Sequence, residues 1–179
     1  SVTFSVLDYP HKRDSVGKPL PGMQVRIDKP DADGVGEIHL TGPMVMTGYI
    51  DKEPIDSDLN TDDIGYVDED GFVYILNRRK DLIISGGENI YPKELEDLVY
   101  TLPSVKECAV VPVPDPKWGQ VPALFVAFHD GESMTADAIL SFMTKSLAKY
   151  KVPKYVKILP ALPRNGTGKI VRNELRLED

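Results

Sequence analysis

The chain is 179 residues long, which is enough to bury a sizeable core in one domain or two. Its 28 acidic residues outnumber its 21 basic ones and give a formal net charge of −7. That balance argues against broad binding to nucleic acid or to an anionic membrane surface, although it leaves room for a local cationic patch. We therefore expect no nucleic-acid partner.

The sequence contains one cysteine, Cys108, and so excludes an internal disulfide. This residue stands in the apolar run 105–113, where a buried thiol is expected. No apolar run approaches the ~20 residues that a membrane-spanning helix needs, and the start, Ser1-Val-Thr-Phe, lacks a signal-peptide pattern. These features favour a cytoplasmic protein without membrane insertion. The start is typical of a cut inside a longer chain.

The first half of the chain predicts a small β meander. Three prolines in residues 1–22 indicate a connecting segment. Apolar residues then alternate in three runs, which include Ile27, Leu40 and, in the third, Val45, Met46 and Ile50. His39 falls on the opposite face from Leu40, so we expect it to be a solvated strand residue and not a metal ligand.

The segment 51–70 is strongly acidic and precedes two predicted strands, 66–68 and 72–76. Asp70-Gly71 joins them and is a hairpin signal, because glycine accepts a positive φ at little cost. The acidic residues invite comparison with a calcium-binding EF-hand. Placing Gly71 at the sixth position of that loop puts Tyr66 first and Asn77 last, which excludes the motif.

The twenty residues from Asn77 to Glu96 combine several signals. Arg78, Arg79 and Lys80 directly precede the apolar run 82–84, which predicts a short buried strand. Three cations at the edge of a packed layer suit an anionic ligand. A paired-glycine turn follows the strand, and Pro92 then begins a helix.

After Asn77 the pattern changes to alternating strands and helices, which predicts a domain boundary at 78–81. Helices are expected from Pro92 to the proline at 103 and over 135–148, and strands over 106–113, 121–128 and 155–159. This β-α-β-β-α-β order is typical of a compact α+β domain. Several lysines crowd residues 145–157, where a solvated face and a phosphate-binding face remain equal alternatives.

Near the end, Asn165-Gly-Thr-Gly-Lys169 predicts an exposed tight turn with a lysine at its tip. A Walker A loop would need glycine at Pro163 and Ser or Thr at Ile170, so this is not a P-loop. A lysine presented in this way suits a phosphate or a carboxylate. The same four residues before Lys169 would also serve as an ordinary surface turn.

Taken together, several motifs resemble, in order and spacing, the C-terminal third of the adenylate-forming (ANL) superfamily, which includes acyl-CoA synthetases, peptide-synthetase adenylation domains and luciferases. The motifs are Gly36-Glu37-Ile38, Thr61-Asp-Asp-Ile-Gly-Tyr, Arg78-Arg-Lys-Asp with Ser85-Gly-Gly-Glu-Asn-Ile-Tyr-Pro, and Pro163-Arg-Asn-Gly-Thr-Gly-Lys. The resemblance runs from about residue 14 onward. Within the superfamily, Trp118-Gly-Gln and Ala148-Lys-Tyr-Lys-Val-Pro-Lys look most like acyl-CoA or 2-succinylbenzoate-CoA ligases.

The resemblance implies a role for several residues in forming an acyl-adenylate. Asp63 matches the aspartate that accepts hydrogen bonds from the ribose hydroxyls of ATP, and Arg78 matches an arginine that contacts the same nucleotide. Lys169 matches the catalytic lysine that bridges the substrate carboxylate and the α-phosphate, where its charge offsets charge that builds up in the transition state. Lys80 matches the hinge about which a lid domain rotates.

For the second half-reaction, the resemblance implies that the lid turns and brings the loop of Ser85, Gly86 and Gly87 to the site. The thiol of coenzyme A then attacks the acyl-adenylate and releases AMP. Trp118 is expected to line that passage, although a packing role would explain it as well. The implied ligands are a carboxylic acid, ATP, coenzyme A and Mg²⁺, with the magnesium ligands expected upstream of this chain.

The implied organisation has three parts. Residues 1–77 are the incomplete last β subdomain of a large adenylation domain, 78–81 the hinge, and 82–179 the C-terminal lid domain. The superfamily's phosphate loop and acyl pocket are expected upstream, so we expect the isolated chain to be inactive. The identity of the acid and the oligomeric state remain open.

One departure from the superfamily pattern is Asp62, which stands where glycine is usual and raises the question of which carboxylate takes the ribose. Two other functions also remain open. One is an adenylation domain that loads a carrier protein, and the other is a non-catalytic binding module that keeps the fold.

Overall fold

The computed structural model describes residues 10–48, 50, 53–55 and 58–177. Its contacts divide the chain into two compact units, Ser1–Lys80 and Asp81–Asp179. Each unit has its own sheet and its own core. Among the described residues, no helix is long and apolar enough to cross a membrane.

The first unit is built on a four-stranded antiparallel sheet, in the order β1-β2-β3-β4. The strands are β1 (Gln24–Asp28), β2 (Gly36–Thr41), β3 (Leu59–Val67) and β4 (Val73–Arg78). Alternation places Ile38 and Leu40 of β2 on the buried face, where they pack with Met23 and Val73. The meander is therefore present, with its core on one face.

The third predicted strand, through Val45, Met46 and Ile50, is wrong. The described residues 42–48 form turns and bends. Gly42 has a φ of +132°, and the Val45 amide donates to the Gly42 carbonyl oxygen at 3.1 Å. That turn interrupts the extended backbone. The next strand, β3, begins at residue 59, seven positions before the start of the predicted strand 66–68.

The prediction of a solvated His39 is also wrong. Its side chain is only 14% exposed, and its Nδ1 lies 3.0 Å from Asp58 Oδ1. Arg26 contacts the same aspartate from the neighbouring strand β1. His39 therefore lies in a polar cluster with Asp58 and Arg26.

Asp68 organises the β3–β4 hairpin. Its Oδ1 accepts hydrogen bonds from the amides of Asp70 and Phe72, and Gly71 takes the positive φ that the turn requires, +82°. Lys12 donates to Asp68 Oδ2 at 2.7 Å and holds the pKa of that carboxyl down at about 2. The predicted hairpin is confirmed, and its acidic turn is held by a lysine.

The second unit contains a five-stranded sheet in the order β6-β5-β8-β7, with β9 pairing in parallel to β8. Its elements are β5 (Ile83–Ser85), β6 (Glu88–Ile90), α1 (Pro92–Tyr100), β7 (Val105–Asp115), β8 (Gly119–Phe128), α2 (Ala136–Ser146) and β9 (Tyr155–Ile158). The predicted α+β class is confirmed. Strand β6, a three-residue strand that follows the glycine pair, was not predicted from the sequence.

The long hairpin of β7 and β8 separates two cores. One face packs against α1 and α2 and buries Cys108 and Leu124. The other face carries Ala109 and Phe125, and the irregular C-terminal segment covers it with Leu162 and Leu175. Because successive strand residues face opposite sides, the apolar run 108–111 serves both cores.

Strand β5 offers a matched test of this packing, because Ile83 is fully buried and Ile84 is 52% exposed. We expect Ile83→Ala to lower the free energy of unfolding by about 2–5 kcal/mol, and Ile84→Ala to change it by less than about 0.5 kcal/mol. Urea titration followed by the fluorescence of Trp118, the single tryptophan, reports on this unit. Equal effects of the two substitutions would contradict the strand register.

Candidate functional site

Asp63 and Arg78 face each other across the hairpin of β3 and β4. Arg78 Nε lies 2.9 Å from Asp63 Oδ1, and its Nη1 donates to the Thr61 carbonyl oxygen at 3.0 Å. The aspartate side chain is 14% exposed and the arginine side chain 55%. The structure thus brings together the two residues for which nucleotide binding is predicted, as a pair with an accessible cation.

The groups around Asp63 have opposing effects on the pKa of its carboxyl. Burial raises the pKa of this carboxyl, and the neighbouring charge of Asp62 adds to that effect, while Arg78 and a hydrogen bond with Thr61 lower it; the net shift is upward. A raised pKa means that the fold favours the neutral form. The stability this group contributes is therefore lost as the pH rises through its raised pKa.

Asp62 differs from Asp63 in both exposure and backbone. It is exposed and has a φ of +60°, a left-handed conformation that side chains seldom adopt. Its amide donates to Asn60 Oδ1 at 2.8 Å, which supports the conformation. This left-handed backbone explains why glycine is usual at position 62. The carboxylates of Asp62 and Asp63 thus lie in different environments, the first exposed and the second half-buried.

Lys80 is exposed and lies in the short 3₁₀ helix Arg79–Asp81. The first compact unit ends at this residue and the second begins at Asp81. The neighbouring Arg79 pairs with Glu37 of β2 at 2.8 Å. The hinge role of Lys80 stays a prediction.

Gly86 and Gly87 form the turn between β5 and β6, with φ of +60° and +92°. The Gly86 amide donates to the Trp118 carbonyl oxygen at 2.9 Å. A Cβ added at Gly86 would lie 2.6 Å from Trp118 Cε3, whereas one at Gly87 would meet nothing within 4 Å. Glycine at position 86 therefore allows the indole ring to lie directly against the turn.

Gly86 and the indole ring of Trp118 line a cleft of about 890 Å³ in the second unit. A volume of this size falls in the range of small-molecule sites. Its lining is largely apolar with two lysines and one glutamate, and comprises Ser85, Gly86, Glu88, Trp118, Val121, Pro122, Thr144, Lys149, Tyr150, Val152 and Lys154. Three of the four residues predicted to bind coenzyme A line this one cleft.

Asp115 fixes the loop that carries Trp118. Its Oδ1 accepts from the amides of Lys117 and Trp118 at 2.8 and 2.9 Å, and its Oδ2 pairs with Lys154 at 2.6 Å. The lysine and two amides hold the pKa of this carboxyl below its usual range. The indole itself remains 47% exposed, with Lys117 Nζ 4.6 Å from its ring centroid.

The lysine-rich segment is mostly engaged in contacts within its own unit. Lys151 pairs with Glu94 at 2.8 Å, Lys154 pairs with Asp115, and Lys157 donates to two carbonyl oxygens of the C-terminal segment. Lys149 has no such contact among the described residues, and it borders the cleft. The difference between the paired lysines and Lys149 favours a structural role for most of the lysine-rich segment and a ligand-binding role for Lys149.

Lys169 lies on a turn whose backbone is held from several sides. Asn165 Oδ1 accepts from the amides of Thr167 and Lys169 at 3.1 and 2.9 Å, and the Asn165 amide donates to the Lys169 carbonyl oxygen at 2.9 Å. Arg164 and Ile170 pair as a β-bridge. Lys169 is exposed, and its ammonium has no ion-pair partner among the described residues. The predicted exposed turn is confirmed.

Cys108 is buried, and burial raises the pKa of its thiol to about 12. The expectation of a packed thiol is confirmed, and the neutral thiol is a poor nucleophile. Within the described residues, no group of three or more His, Cys, Asp or Glu side chains could hold a metal ion. The magnesium ligands expected upstream stay a prediction.

From the sequence, Lys149 was one of several lysines considered for phosphate binding, whereas Tyr150 as a cleft residue and Glu107 as a partner of the lysine turn were not predicted. The first two stand in the lysine run, whose spacing does not show which members are paired. Glu107 stands between two apolar residues of β7, and its 5% exposure depends on Arg164, 57 positions later. The signal available was an acidic residue inside a buried strand.

Comparison with known proteins then identifies the second unit. Residues 94–169 match the family described as the AMP-binding enzyme C-terminal domain. These residues belong to that family. The resemblance to the C-terminal part of an adenylate-forming enzyme is thereby confirmed.

Relatives extend the match over almost the whole chain. A 2-succinylbenzoate-CoA ligase of Lactococcus lactis is 54% identical over 176 residues, covering 98% of this chain and 38% of the relative. One from Bacillus cereus is 49% identical over 178 residues, covering 92% and 36%. The chain thus spans little more than a third of the length of the relatives it matches.

Solved structures agree with these relatives. The o-succinylbenzoate-CoA synthetase of Bacillus subtilis, in complex with the acyl-adenylate intermediate OSB-AMP, superposes with a TM-score of 0.88 at 37% identity. The match covers 100% of this chain and 38% of that one. MatB of Rhodopseudomonas palustris, bound to ATP, gives a TM-score of 0.81 at 36% identity, covering 91% of this chain and 35% of its own.

The opposing effects of burial and Arg78 on the pKa of Asp63 predict what happens when the Arg78 charge is removed. We expect Arg78→Met to raise the pKa of Asp63 further, because the attraction that lowers the pKa is lost while burial remains. Arg79→Met, next in sequence but paired with Glu37, is the control and should move the pKa of Asp63 less. Carboxyl ¹³C shifts followed against pH measure both, and a fall in the Arg78→Met variant would contradict this assignment.

Proposed function

We propose that this chain is the C-terminal part of an ATP-dependent carboxylate-CoA ligase that forms an acyl-adenylate and then a thioester. The observation that carries the proposal is the presentation of Lys169: an exposed lysine on a braced turn, in a domain of the AMP-binding enzyme C-terminal family. The proposed acid is 2-succinylbenzoate, because relatives at 49–54% identity carry that name.

In the first half-reaction, an oxygen of the substrate carboxylate attacks the α-phosphorus of ATP, and pyrophosphate leaves. Negative charge builds up on the oxygens around that phosphorus, and the proposed role of the Lys169 ammonium is to offset it. An ammonium on a flexible stem acts as a point charge that can reach both the carboxylate and the α-phosphate. Magnesium, when bound, would neutralise phosphate charge during this step.

Asp63 and Arg78 are proposed to hold the nucleotide in that step. An ionised carboxylate is a good acceptor for the two ribose hydroxyls, and the exposed Arg78 guanidinium can donate to the ligand while Nε stays on Asp63. Of the two adjacent carboxylates, we assign the ribose contact to Asp63, because its partner Arg78 fixes its position. Asp62 supplies the turn of the backbone.

In the second half-reaction, the thiol sulfur of coenzyme A attacks the acyl carbonyl carbon and gives up its proton to solvent, the bond to the phosphate oxygen breaks, and AMP leaves. The cleft beside Gly86 and Trp118 is proposed to take the pantetheine arm, since its apolar lining suits an extended, uncharged chain. Lys149 at the border of the cleft suits a phosphate of coenzyme A. Lys80, the last residue of the first unit, is the proposed hinge about which the second unit rotates between the two half-reactions.

The acceptor is the point at which a carrier-protein-loading enzyme would differ. The cationic Lys149 and the names of the relatives favour free coenzyme A, whose nucleotide end carries phosphates that a protein-bound pantetheine arm lacks. Incubating the complete enzyme with its acyl-adenylate and either acceptor tests this choice. Thioester formation only on a phosphopantetheinyl protein would overturn it.

Replacing Lys169 tests the adenylation role. In the complete enzyme, we expect Lys169→Ala to slow carboxylate-dependent exchange of pyrophosphate into ATP by about 100-fold or more, because a charge that acts in the transition state is lost. Thioester formation from supplied acyl-adenylate should change by less than about threefold, since AMP leaves without help from this lysine.

The isolated chain serves as a second arm of the same assay, and we expect it to give no exchange. Exchange at the wild-type rate by Lys169→Ala would contradict the catalytic role and favour a non-catalytic binding module. Exchange of pyrophosphate into ATP by the isolated chain would contradict the expectation that adenylation needs residues outside this chain.

The cleft predicts a separate effect on the second half-reaction. We expect Gly86→Ala to raise the KM for coenzyme A by about tenfold, because the new Cβ displaces the Trp118 ring, and to leave pyrophosphate exchange unchanged. Gly87→Ala carries at least as large a backbone penalty, because a φ of +92° lies outside the left-handed region open to side chains, but it lacks that contact and should have a smaller effect on the KM for coenzyme A. Steady-state kinetics of both variants measure this, and equal KM values would argue against the cleft.

A further inference from the structure

Arg164 joins the Lys169 turn to strand β7. Its Nε donates to Glu107 Oε2 at 3.1 Å, and its Nη2 donates to the same oxygen. The other oxygen, Glu107 Oε1, accepts from the Leu162 amide at 2.8 Å. Because the Glu107 side chain is only 6% exposed, its carboxylate depends on these contacts in place of water.

The same guanidinium also reaches across the turn. Arg164 Nη1 donates to the Gly168 carbonyl oxygen at 2.5 Å, and Gly168 directly precedes Lys169. One side chain therefore connects a buried carboxylate of the sheet with the peptide bond that leads into Lys169. Gly168 has a φ of +81°, so the chain reverses at the point that Arg164 holds.

We propose that Arg164, held by Glu107, is a positioning residue for Lys169 in acyl-adenylate formation. The inference rests on the proposed function, because it assigns no chemistry of its own to Arg164. Arg164 acts through the backbone of residue 168, and in this account it touches neither nucleotide nor acid.

The physical reason is the freedom of a lysine side chain. Its four-carbon stem gives the Lys169 ammonium many accessible positions, so accuracy at the reacting phosphate has to come from the backbone that carries it. Misplacement of a charged group by about 1 Å can cost about 100-fold in rate. The planar arginine fork fixes direction as well as distance, which a lysine at position 164 could not do.

Arg172 provides a matched control three positions beyond Lys169. It also forms a two-point pair with a buried carboxylate: Nη1 lies 2.5 Å from Glu96 Oε1, and Nη2 lies 3.0 Å from Glu96 Oε2. Its remaining contact is the Val110 carbonyl oxygen of β7, at 3.1 Å. No hydrogen bond of Arg172 reaches the turn 165–169, so it holds the C-terminal segment without bracing the lysine.

The test compares Arg164→Lys and Arg172→Lys in the complete enzyme. We expect Arg164→Lys to lower kcat for pyrophosphate exchange by about 10- to 100-fold, with the KM for ATP changed by less than about twofold. Thioester formation from supplied acyl-adenylate should stay within about twofold of wild type. Arg172→Lys should lower Tm at least as much, while changing either half-reaction by less than about threefold.

Glu107→Gln gives a second route to the same measurement. The amide oxygen can still accept from Leu162, but the charge that holds Arg164 is lost, so exchange should fall again with thioester formation preserved. The inference is overturned if Arg164→Lys and Glu107→Gln affect exchange no more than Arg172→Lys does, or if they slow both half-reactions alike. Failure of the proposed function is distinct, since Lys169→Ala would then leave exchange unchanged.

Discussion

Two buried carboxylates, Glu96 of α1 and Glu107 of β7, hold the C-terminal segment on the second unit. After β9 the chain contains no further strand or α helix among its described residues, so regular backbone pairing cannot fix its path. Leu162 and Leu175 anchor it in the apolar face of the sheet, and Arg164 and Arg172 pair with the two acids. Apolar burial holds the segment in place, and the paired charges determine its register, because each guanidinium fits one carboxylate.

Side-chain oxygens organise turns elsewhere in the chain as well. Asp68 closes the β3–β4 hairpin, Asp115 closes the loop that carries Trp118, and Asn165 closes the turn of Lys169. In each case one oxygen collects amide hydrogens that the turn would otherwise leave unpaired. Asp68 and Asp115 each pair in addition with a lysine. Candidate ligand groups on these loops are thereby supported by short local networks that extend from the strands.

The sequence predicted the class of the fold and most elements of the second unit, because periodicity and proline mark them clearly. It could not predict that Glu107 is buried, since the cation that makes this burial tolerable is 57 positions away. The predicted strand through Met46 is wrong because the prediction relied on the spacing of apolar residues and gave too little weight to Gly42 as a turn signal. For the candidate site, Asp63, Arg78 and Lys169 were predicted from motifs and their roles stay predictions, whereas only the structure shows that Lys149 and Tyr150 line the cleft.

The two candidate sites of the second unit are tied to opposite ends of one strand. Glu107 supports the Lys169 turn near the start of β7, and Asp115 supports the Trp118 loop at its end. Eight strand positions separate them, a distance of about 26 Å along an extended chain. The Lys169 turn and the Trp118 loop are therefore supported from opposite ends of β7, and the proposed rotation about Lys80 would present first one and then the other to the reacting group.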